Sequence, residues 1–405
     1  MVISKSMEAL VAGSSTIRKL FEEGLQLAAE VGAENVYDFS LGNPASPVPA
    51  KVTESIKDIL AENPDSYVHG YMKNAGFDEV RANVAANLNK RFDMGYDAGD
   101  IVMTVGAAGA MNCIFRALIE TDDEVIAFAP YFGEYRNYAA NYGGKLVVVP
   151  PDMDNFDLDI NELDALINPK TKCIIINNPN NPSGRIFPEE TIKQLGAIIE
   201  KAEKRIGHPI YVLADEPYRE LVYDNEVVPY IPSIIRNSIY IYSFSKTLSL
   251  PGERIGYMAL SKKMDCYDEM INAMAVANRC LGYVNAPSLF QLVVSRCLDE
   301  GVDLDFYDRN RKLLYDKLTS LGFKVVKPQG AFYLLVKAPM EDEEEFVSLA
   351  KKHHIILVST KSFGCPGYIR MAYCVDYEMI KRSIPAFEAL AKECADSSLY
   401  RRRFI

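Results

Sequence analysis

Long hydrophobic runs are missing from this 405-residue chain, and so is any excess of basic charge. Its unbroken apolar stretches reach only several residues, well short of the roughly 20 that a membrane-spanning helix requires. The opening Met1-Val2-Ile3-Ser4-Lys5-Ser6 lacks the apolar core of a secretory signal, so the expected location is the cytoplasm, away from membranes. A formal net charge of −11 argues against the basic stripe that marks nucleic-acid binders. Arg401-Arg402-Arg403 is the one basic cluster of note and reads as a solvated tail. Eight cysteines occur without Cys-x-x-Cys spacing, which suits buried free thiols in a reducing compartment and excludes a disulfide framework. Of four histidines only His353-His354 are adjacent. Neighbours in sequence do not share a helix face, so no metal site is expected. Repeats and low-complexity segments are absent as well.

What is present is an ordinary globular composition, 49% hydrophobic, over 405 residues, a length that exceeds the roughly 250–300 residues at which single cores stop growing. Two domains are therefore expected. Between positions 100 and 260, short buried strands alternate with amphipathic helices. Strands are predicted at 101–105, 124–129, 145–149, 172–176, 210–214, 238–242 and 255–260, and helices at 108–119 and 188–205. That alternation predicts an α/β fold, a mostly parallel seven-stranded sheet with helices on both faces. Beyond 260 the rhythm changes to helices at 264–277 and 306–321 and short strands at 323–326 and 332–337. The acidic run Glu341–Glu345 suits the N-terminus of a helix, where the dipole favours negative charge.

Four loops at predicted strand ends carry chemistry. Lys246 lies in Ser243-Phe244-Ser245-Lys246-Thr247, with Arg254 eight positions on. It reads either as a surface lysine in a polar turn or as an amine nucleophile beside an anion clamp of Ser243 and Arg254. Asn177-Asn178-Pro179-Asn180-Asn181-Pro182-Ser183-Gly184 follows a run of isoleucines. Four asparagines exceed what a chain reversal needs, and ligands in open α/β sheets bind outside the carboxyl ends of strands. Asp215-Glu216-Pro217-Tyr218 is either a β-turn or a carboxylate placed to keep a pyridine nitrogen protonated. Gly106-Ala107-Ala108-Gly109-Ala110 opens a helix with residues small enough for backbone N–H groups to approach a phosphate. It is neither a dinucleotide fingerprint nor a P-loop. An amine beside a phosphate clamp is what pyridoxal 5'-phosphate (PLP) requires.

Together these segments closely resemble the fold-type I PLP-dependent aminotransferases of class I/II, the aspartate aminotransferase superfamily. The resemblance runs from Phe39-Ser40-Leu41-Gly42-Asn43-Pro44 to Gly367-Tyr368-Ile369-Arg370-Met371. It implies that Lys246 forms the Schiff base and moves the substrate proton, that Asp215 partners the pyridine nitrogen, and that Tyr218 and Asn181 bond the ring's 3-oxygen. Ser243, Arg254 and the backbone of Gly106, Ala107 and Ala108 match phosphate ligands, and Phe132 matches the ring that stacks on the cofactor. Arg370 matches the fork that grips the α-carboxylate, with Gly42 beside it. Tyr71 matches a tyrosine given to the neighbouring subunit's phosphate, which implies a homodimer with shared active sites.

Domains are expected at 46–295 (large, cofactor-binding) and at 1–45 plus 296–405 (small, discontinuous), with closure of the small domain excluding water. The sequence departs from the family at Val358–Gly364, where a Pro-Gly is common, and at residue 279. Arg279 precedes Asn285-Ala286-Pro287 with one residue more between them than in the branch whose partner arginine binds a distal carboxylate. It reads as a dicarboxylate selector or as a solvent-facing helix residue. Another branch places a base where this chain has Ala108. Tyr131, Tyr283 and Phe332 read equally well as an aromatic pocket.

The implied activity is transfer of an amino group from an α-amino acid, with aspartate favoured, to a 2-oxo acid such as 2-oxoglutarate. The alternatives are a PLP-dependent C–S β-lyase on the same fold and a non-catalytic effector-binding protein. No helix-turn-helix segment precedes the fold in this sequence, which disfavours the latter.

Overall fold

A computed structural model describes residues 2–12 and 16–396; the Arg401-Arg402-Arg403 cluster lies outside the described residues. Seven strands form the larger sheet: β1 (Ile101–Thr104), β2 (Glu124–Phe128), β3 (Lys145–Val149), β4 (Thr171–Asn177), β5 (Tyr211–Asp215), β6 (Ser238–Ser243) and β7 (Gly256–Leu260). Their ends differ from the expected ones by no more than one residue. In space they run β1-β7-β6-β5-β4-β2-β3. β7 is antiparallel to both neighbours and the other pairings are parallel. The isoleucines of β4 do not alternate with polar residues because both faces of the sheet are covered. Ile174 and Ile176 enter one hydrophobic cluster, Cys173 and Ile175 the other, as the two-residue side-chain period requires.

Helices supply the covering layers. Glu189–Ile206 sends Ile192, Leu195, Ile199 and Ala202 into the core at helical spacing, with Pro188 as its N-cap. Gly106–Leu118 packs on β6 and β7 across the opposite face. The helix expected at 264–277 lies three residues later, at Tyr267–Cys280. Met264 N bonds Ser261 O at 2.9 Å and Asp265 N bonds Asn237 Oδ1 at 2.9 Å, which holds residues 261–266 in a turn ending at Cys266 with φ +56°. Leu304–Ser320 ends in a Schellman turn: Phe323 N donates to Leu318 O at 3.1 Å and Gly322 has φ +90°. That turn uses Phe323, so the next strand shortens to Val325–Val326. Asp342 caps Glu343–Lys352, whose first turn holds three glutamates.

The smaller sheet orders Val358–Ser359, Tyr368–Ala372, Tyr333–Lys337 and Val325–Val326, all antiparallel. The N-terminal segment is sewn to it. Tyr37–Asp38 pairs in parallel with Ile355–Ile356, and Ala372 N donates to Phe39 O at 2.8 Å. Positions 40–42 therefore lie beside the strand that carries Arg370. All eight cysteines are free; six are buried, and Cys266 and Cys280 are exposed. His353 Nε2 lies 2.8 Å from Glu393 Oε2 and His354 Nδ1 lies 3.1 Å from Asn35 O. Among the described residues, no helix is long and apolar enough to cross a membrane.

Candidate active site

Register brings the motif loops to one edge of the larger sheet. Asn177 pairs with Asp215 across β4 and β5, and Ser243 pairs with Gly256 across β6 and β7. Because β7 runs the other way, its first residue lies at this edge, so Arg254 joins the carboxyl ends of the parallel strands. A cavity of about 590 Å³ opens there. Gly42, Ala107, Ala108, Phe132, Asn181, Asp215, Tyr218, Ser243, Lys246, Arg254 and Arg370 line it, eleven of the residues singled out from the sequence. Gly106 sits just behind, with φ +75° and the place of a Cβ only 2.9 Å from Arg254 Nη2. Tyr71 is 90% exposed, and Arg279, in the last turn of Tyr267–Cys280, is exposed too. Neither lines the cavity of its own chain.

Lys246 stands on the short helical turn Phe244–Thr247, directly after β6. Its Nζ donates to Gly42 O at 2.7 Å and lies 5.2 Å from the centre of the Phe332 ring. Burial, aided by the charges of Arg370 and Arg254 and opposed by Cys374, pulls the amine down to about 8. Gly42 comes this close because it has no side chain: a Cβ there would stand 2.0 Å from Tyr333 Oη.

Asp215 closes β5. Its Oδ2 accepts the Tyr135 hydroxyl, while Oδ1 is buried with no partner. Burial pushes this carboxyl up to about 6, against the lowering effect of the Tyr135 bond. Tyr218 Oη lies 3.1 Å from Tyr333 Oη. Arg370, 2% exposed, donates from Nη2 to Ser40 O at 2.6 Å and from Nη1 to Asn181 Oδ1 at 3.4 Å. Its Nε is buried without a partner, and its guanidinium lies 4.6 Å from the Tyr333 ring centre and 5.3 Å from that of Phe363.

Beside Lys246, Ser243 Oγ donates to Ser245 Oγ at 2.9 Å, and Ser245 Oγ accepts from Arg254 Nη1 at 3.4 Å. Arg254, with φ +53°, also donates to Pro251 O at 3.0 Å. The first amides of Gly106–Leu118 face the same region, where a helix start leaves N–H groups without intrahelical partners.

Three of the four crowded asparagines use their side chains to tie the loop, although Asn177 also lines the cavity beside Asn181. Asn177 Nδ2 donates to Asp215 O at 2.9 Å and its Oδ1 accepts from Asn181 N at 2.7 Å. Asn178 Oδ1 accepts from Phe187 N at 3.0 Å. Asn180 donates to Pro130 O at 3.2 Å and accepts from Ser183 N and Oγ at 3.0 and 2.7 Å. Only Asn181 turns its side chain to Arg370.

The alternative reading of an aromatic pocket from Tyr131, Tyr283 and Phe332 does not match the lining. Tyr131, Tyr283 and Phe332 do not line the cavity; its rings are Phe132, Tyr135, Tyr138, Tyr218 and Tyr333. Phe332 has no exposed surface and belongs to the core around the smaller sheet. Sequence reasoning missed Tyr135, Ser245, Glu134 and Tyr138. Ser245 was legible as the second hydroxyl before Lys246. Tyr135 could be found only by noting that it stands one helical turn after Phe132.

A model of the family "aminotransferase class I and II" matches residues 33–387. A probable aspartate aminotransferase of Methanocaldococcus jannaschii is 30% identical over 381 residues, covering 91% of this chain and 95% of that protein. A probable N-acetyl-LL-diaminopimelate aminotransferase of Bacillus subtilis is 28% identical over 361 residues, covering 88% and 89%. Among solved structures, an aminotransferase from Eubacterium rectale superposes with a TM-score of 0.94 at 46% identity, covering 97% of this chain and 99% of its own. The family match spans both sheets and the cavity between them, so this chain belongs to the class I and II aminotransferases and moves amino groups between amino acids and 2-oxo acids.

Proposed function

We propose that this chain holds pyridoxal 5'-phosphate in the lysine-centred cavity and uses it to pass the amino group of an α-amino acid to a 2-oxo acid. The observation that carries this reading is the buried Asp215 Oδ1, left without a partner in the same cavity as an amine held near 8. A buried acceptor with nothing to accept is costly, and a protonated ring nitrogen would satisfy it. When bound, the cofactor supplies an electron-withdrawing ring that takes up the electron pair left as the substrate's Cα–H bond breaks.

The remaining work belongs to side chains. Ser243, Ser245, Arg254 and the amides of Ala107 and Ala108 would hold the phosphate, and Phe132 would cover the ring. Tyr218 and Asn181 would bond its 3-oxygen. Arg370, whose Nε lacks a partner, would take the substrate's α-carboxylate in a bidentate grip, and its bonds to Ser40 O and Asn181 keep the fork in place. Lys246 Nζ then takes the proton from Cα; orientation of that bond supplies much of the rate.

The division into 46–295 and 1–45 plus 296–405 is part of this proposal, with the smaller unit closing Arg370 and Tyr333 over the site. So is a cytoplasmic homodimer in which Tyr71, exposed in its own chain, serves the partner's phosphate site.

Purified protein supplied with PLP should develop a visible absorbance that changes on adding amino donors. The donor alone should yield no more than one equivalent of its 2-oxo acid per site, and turnover should continue only when an acceptor 2-oxo acid, pyruvate or 2-oxoglutarate, is also present. Ammonia release independent of any 2-oxo acid would replace transfer with elimination.

A further inference from the structure

Three cations reach the cavity, and the proposed reaction occupies all of them: Lys246 at the reacting carbon, Arg254 at the phosphate, Arg370 at the α-carboxylate. None is left among the described lining residues for a second substrate carboxylate. One anion, however, has no task. Glu134 lines the cavity from the first turn of Glu134–Ala140. Its Oε2 accepts from Asn137 Nδ2 at 2.9 Å. Among the described residues, nothing donates to Oε1 and no lysine, arginine or histidine pairs with the carboxylate. Its charge is felt inside the cavity: after burial, Glu134 is the next cause that raises the cavity-lining Tyr138 phenol.

With the α-carboxylate on Arg370 and Cα at Lys246 Nζ, a substrate side chain must extend into the rest of the space. The lining not already given a task includes Leu41, Met111 and Tyr138, apolar or aromatic surface suited to a methylene stem. A carboxylate in such a wall attracts a cationic end through charge-assisted hydrogen bonds and repels an anionic one, discriminating by attraction and repulsion together.

We propose that Glu134 is a specificity-determining residue that selects amino acids carrying a distal ammonium or guanidinium and disfavours dicarboxylates such as aspartate. This rests on the reading of Arg370 as the α-carboxylate ligand. The competing role for Glu134 is structural: a carboxylate in a first helical turn complements the helix dipole and ties Asn137. That role affects stability, not the choice between ligands.

The test uses holoprotein and three unreactive carboxylates that share one end and differ at the other: 4-guanidinobutanoate (cation), 4-methylpentanoate (neutral) and glutarate (anion). Calorimetric titration should show wild type binding the guanidino acid more tightly than glutarate. Glu134→Gln keeps the shape and an acceptor for Asn137. It should narrow that ratio of dissociation constants by about tenfold or more, the range of a hydrogen bond to a charged group, and leave 4-methylpentanoate within about twofold. Absorbance changes with ornithine and aspartate as donors should follow the same order. An unchanged ratio in Glu134→Gln, with binding intact, overturns the role of Glu134 alone. A wild-type preference for glutarate, or an Arg279→Ala variant that by itself shifts the ratio tenfold, overturns it in favour of a distal-carboxylate site completed by the partner chain. Failure of all three ligands to bind wild type removes the Arg370 reading and this inference together.

Discussion

Burial holds the Lys246 amine near 8, so around neutrality a usable fraction is the free nucleophile, and the fraction falls as pH drops. The sign follows from the cause: a low-polarity surrounding disfavours the ammonium form, which lowers the pKa of a base. Capture of the cofactor aldehyde by cofactor-free protein should therefore speed up roughly tenfold per pH unit below about 8 and level off above it. Stopped-flow absorbance between pH 6 and 10 measures this; a rate that keeps climbing to pH 10 would mean that the amine is not desolvated. Gly42 is the second residue whose environment dictates its identity. The methyl of Gly42→Ala would arrive 2.0 Å from Tyr333 Oη, so either the ring moves or the backbone retreats from Lys246 Nζ. Displacements of about 1 Å near reacting atoms cost on the order of 100-fold. A fall in kcat/KM of about 10- to 100-fold is expected for Gly42→Ala. Adding Tyr333→Phe should recover part of it, because the nearest clashing atom is gone. Lys246 and Gly42 were legible in the sequence, the first by its setting and the second by resemblance. The reason for Gly42 was not, since Tyr333 approaches it from a strand far along the chain.

One element further out, the end of β5 meets the helix Glu134–Ala140, and their contact moderates what burial does to Asp215. Burial raises this carboxyl to about 6 and the Tyr135 hydroxyl opposes the rise. Above that value Asp215 is anionic and can hold a protonated ring nitrogen; below it the charge is lost. In cofactor-free protein the Asp215 carboxyl, followed by NMR titration, should change charge near pH 6, and Tyr135→Phe should move that midpoint to higher pH, because burial then acts unopposed. A midpoint that stays in place would detach Tyr135 from the titration. The loop after β4 makes a different claim. Asn180 bonds Pro130 O and Ser183, so Asn180→Ala strands buried polar groups and should lower stability by about 1–3 kcal/mol. Denaturant unfolding measures that, and kcat/KM should fall in parallel as Asn181 loses its placement. The strands around these loops were readable from apolar runs closed by turn residues, because a sheet covered on both faces leaves an unmistakable pattern. Boundaries set by long-range bonds were not: Asn237 fixes the turn that delays Tyr267–Cys280, and no local pattern records it. The crowd of asparagines misled for a related reason. Asn residues that tie a loop to Phe187 and Pro130 look the same in sequence as residues that line a cavity.

At the scale of the whole molecule, the open question for chemistry is how many chains make one site. Two hydrophobic layers enclose the larger sheet and a third core surrounds the smaller one, so one chain by itself brings Lys246, Ser243, Arg254 and Arg370 to one cavity. Tyr71 does not fit that self-sufficiency: it is an aromatic residue 90% exposed and outside its own cavity. If it completes the partner's phosphate site, two lesions in different chains should complement. A dimer pairing Lys246→Ala with Tyr71→Ala concentrates both defects in one cavity. The other cavity keeps its own lysine and receives an intact tyrosine from across the two-fold axis. Co-expressed in equal amounts with statistical pairing, the two variants leave about one cavity in four intact, so activity should reach roughly a quarter of wild type, well above either parent. Cavities built from single chains would each carry one defect, and the mixture would then show no more than the average of the parents. Differently tagged chains, purified in tandem, isolate the mixed dimer and sharpen the comparison to about half of wild type against the parental average.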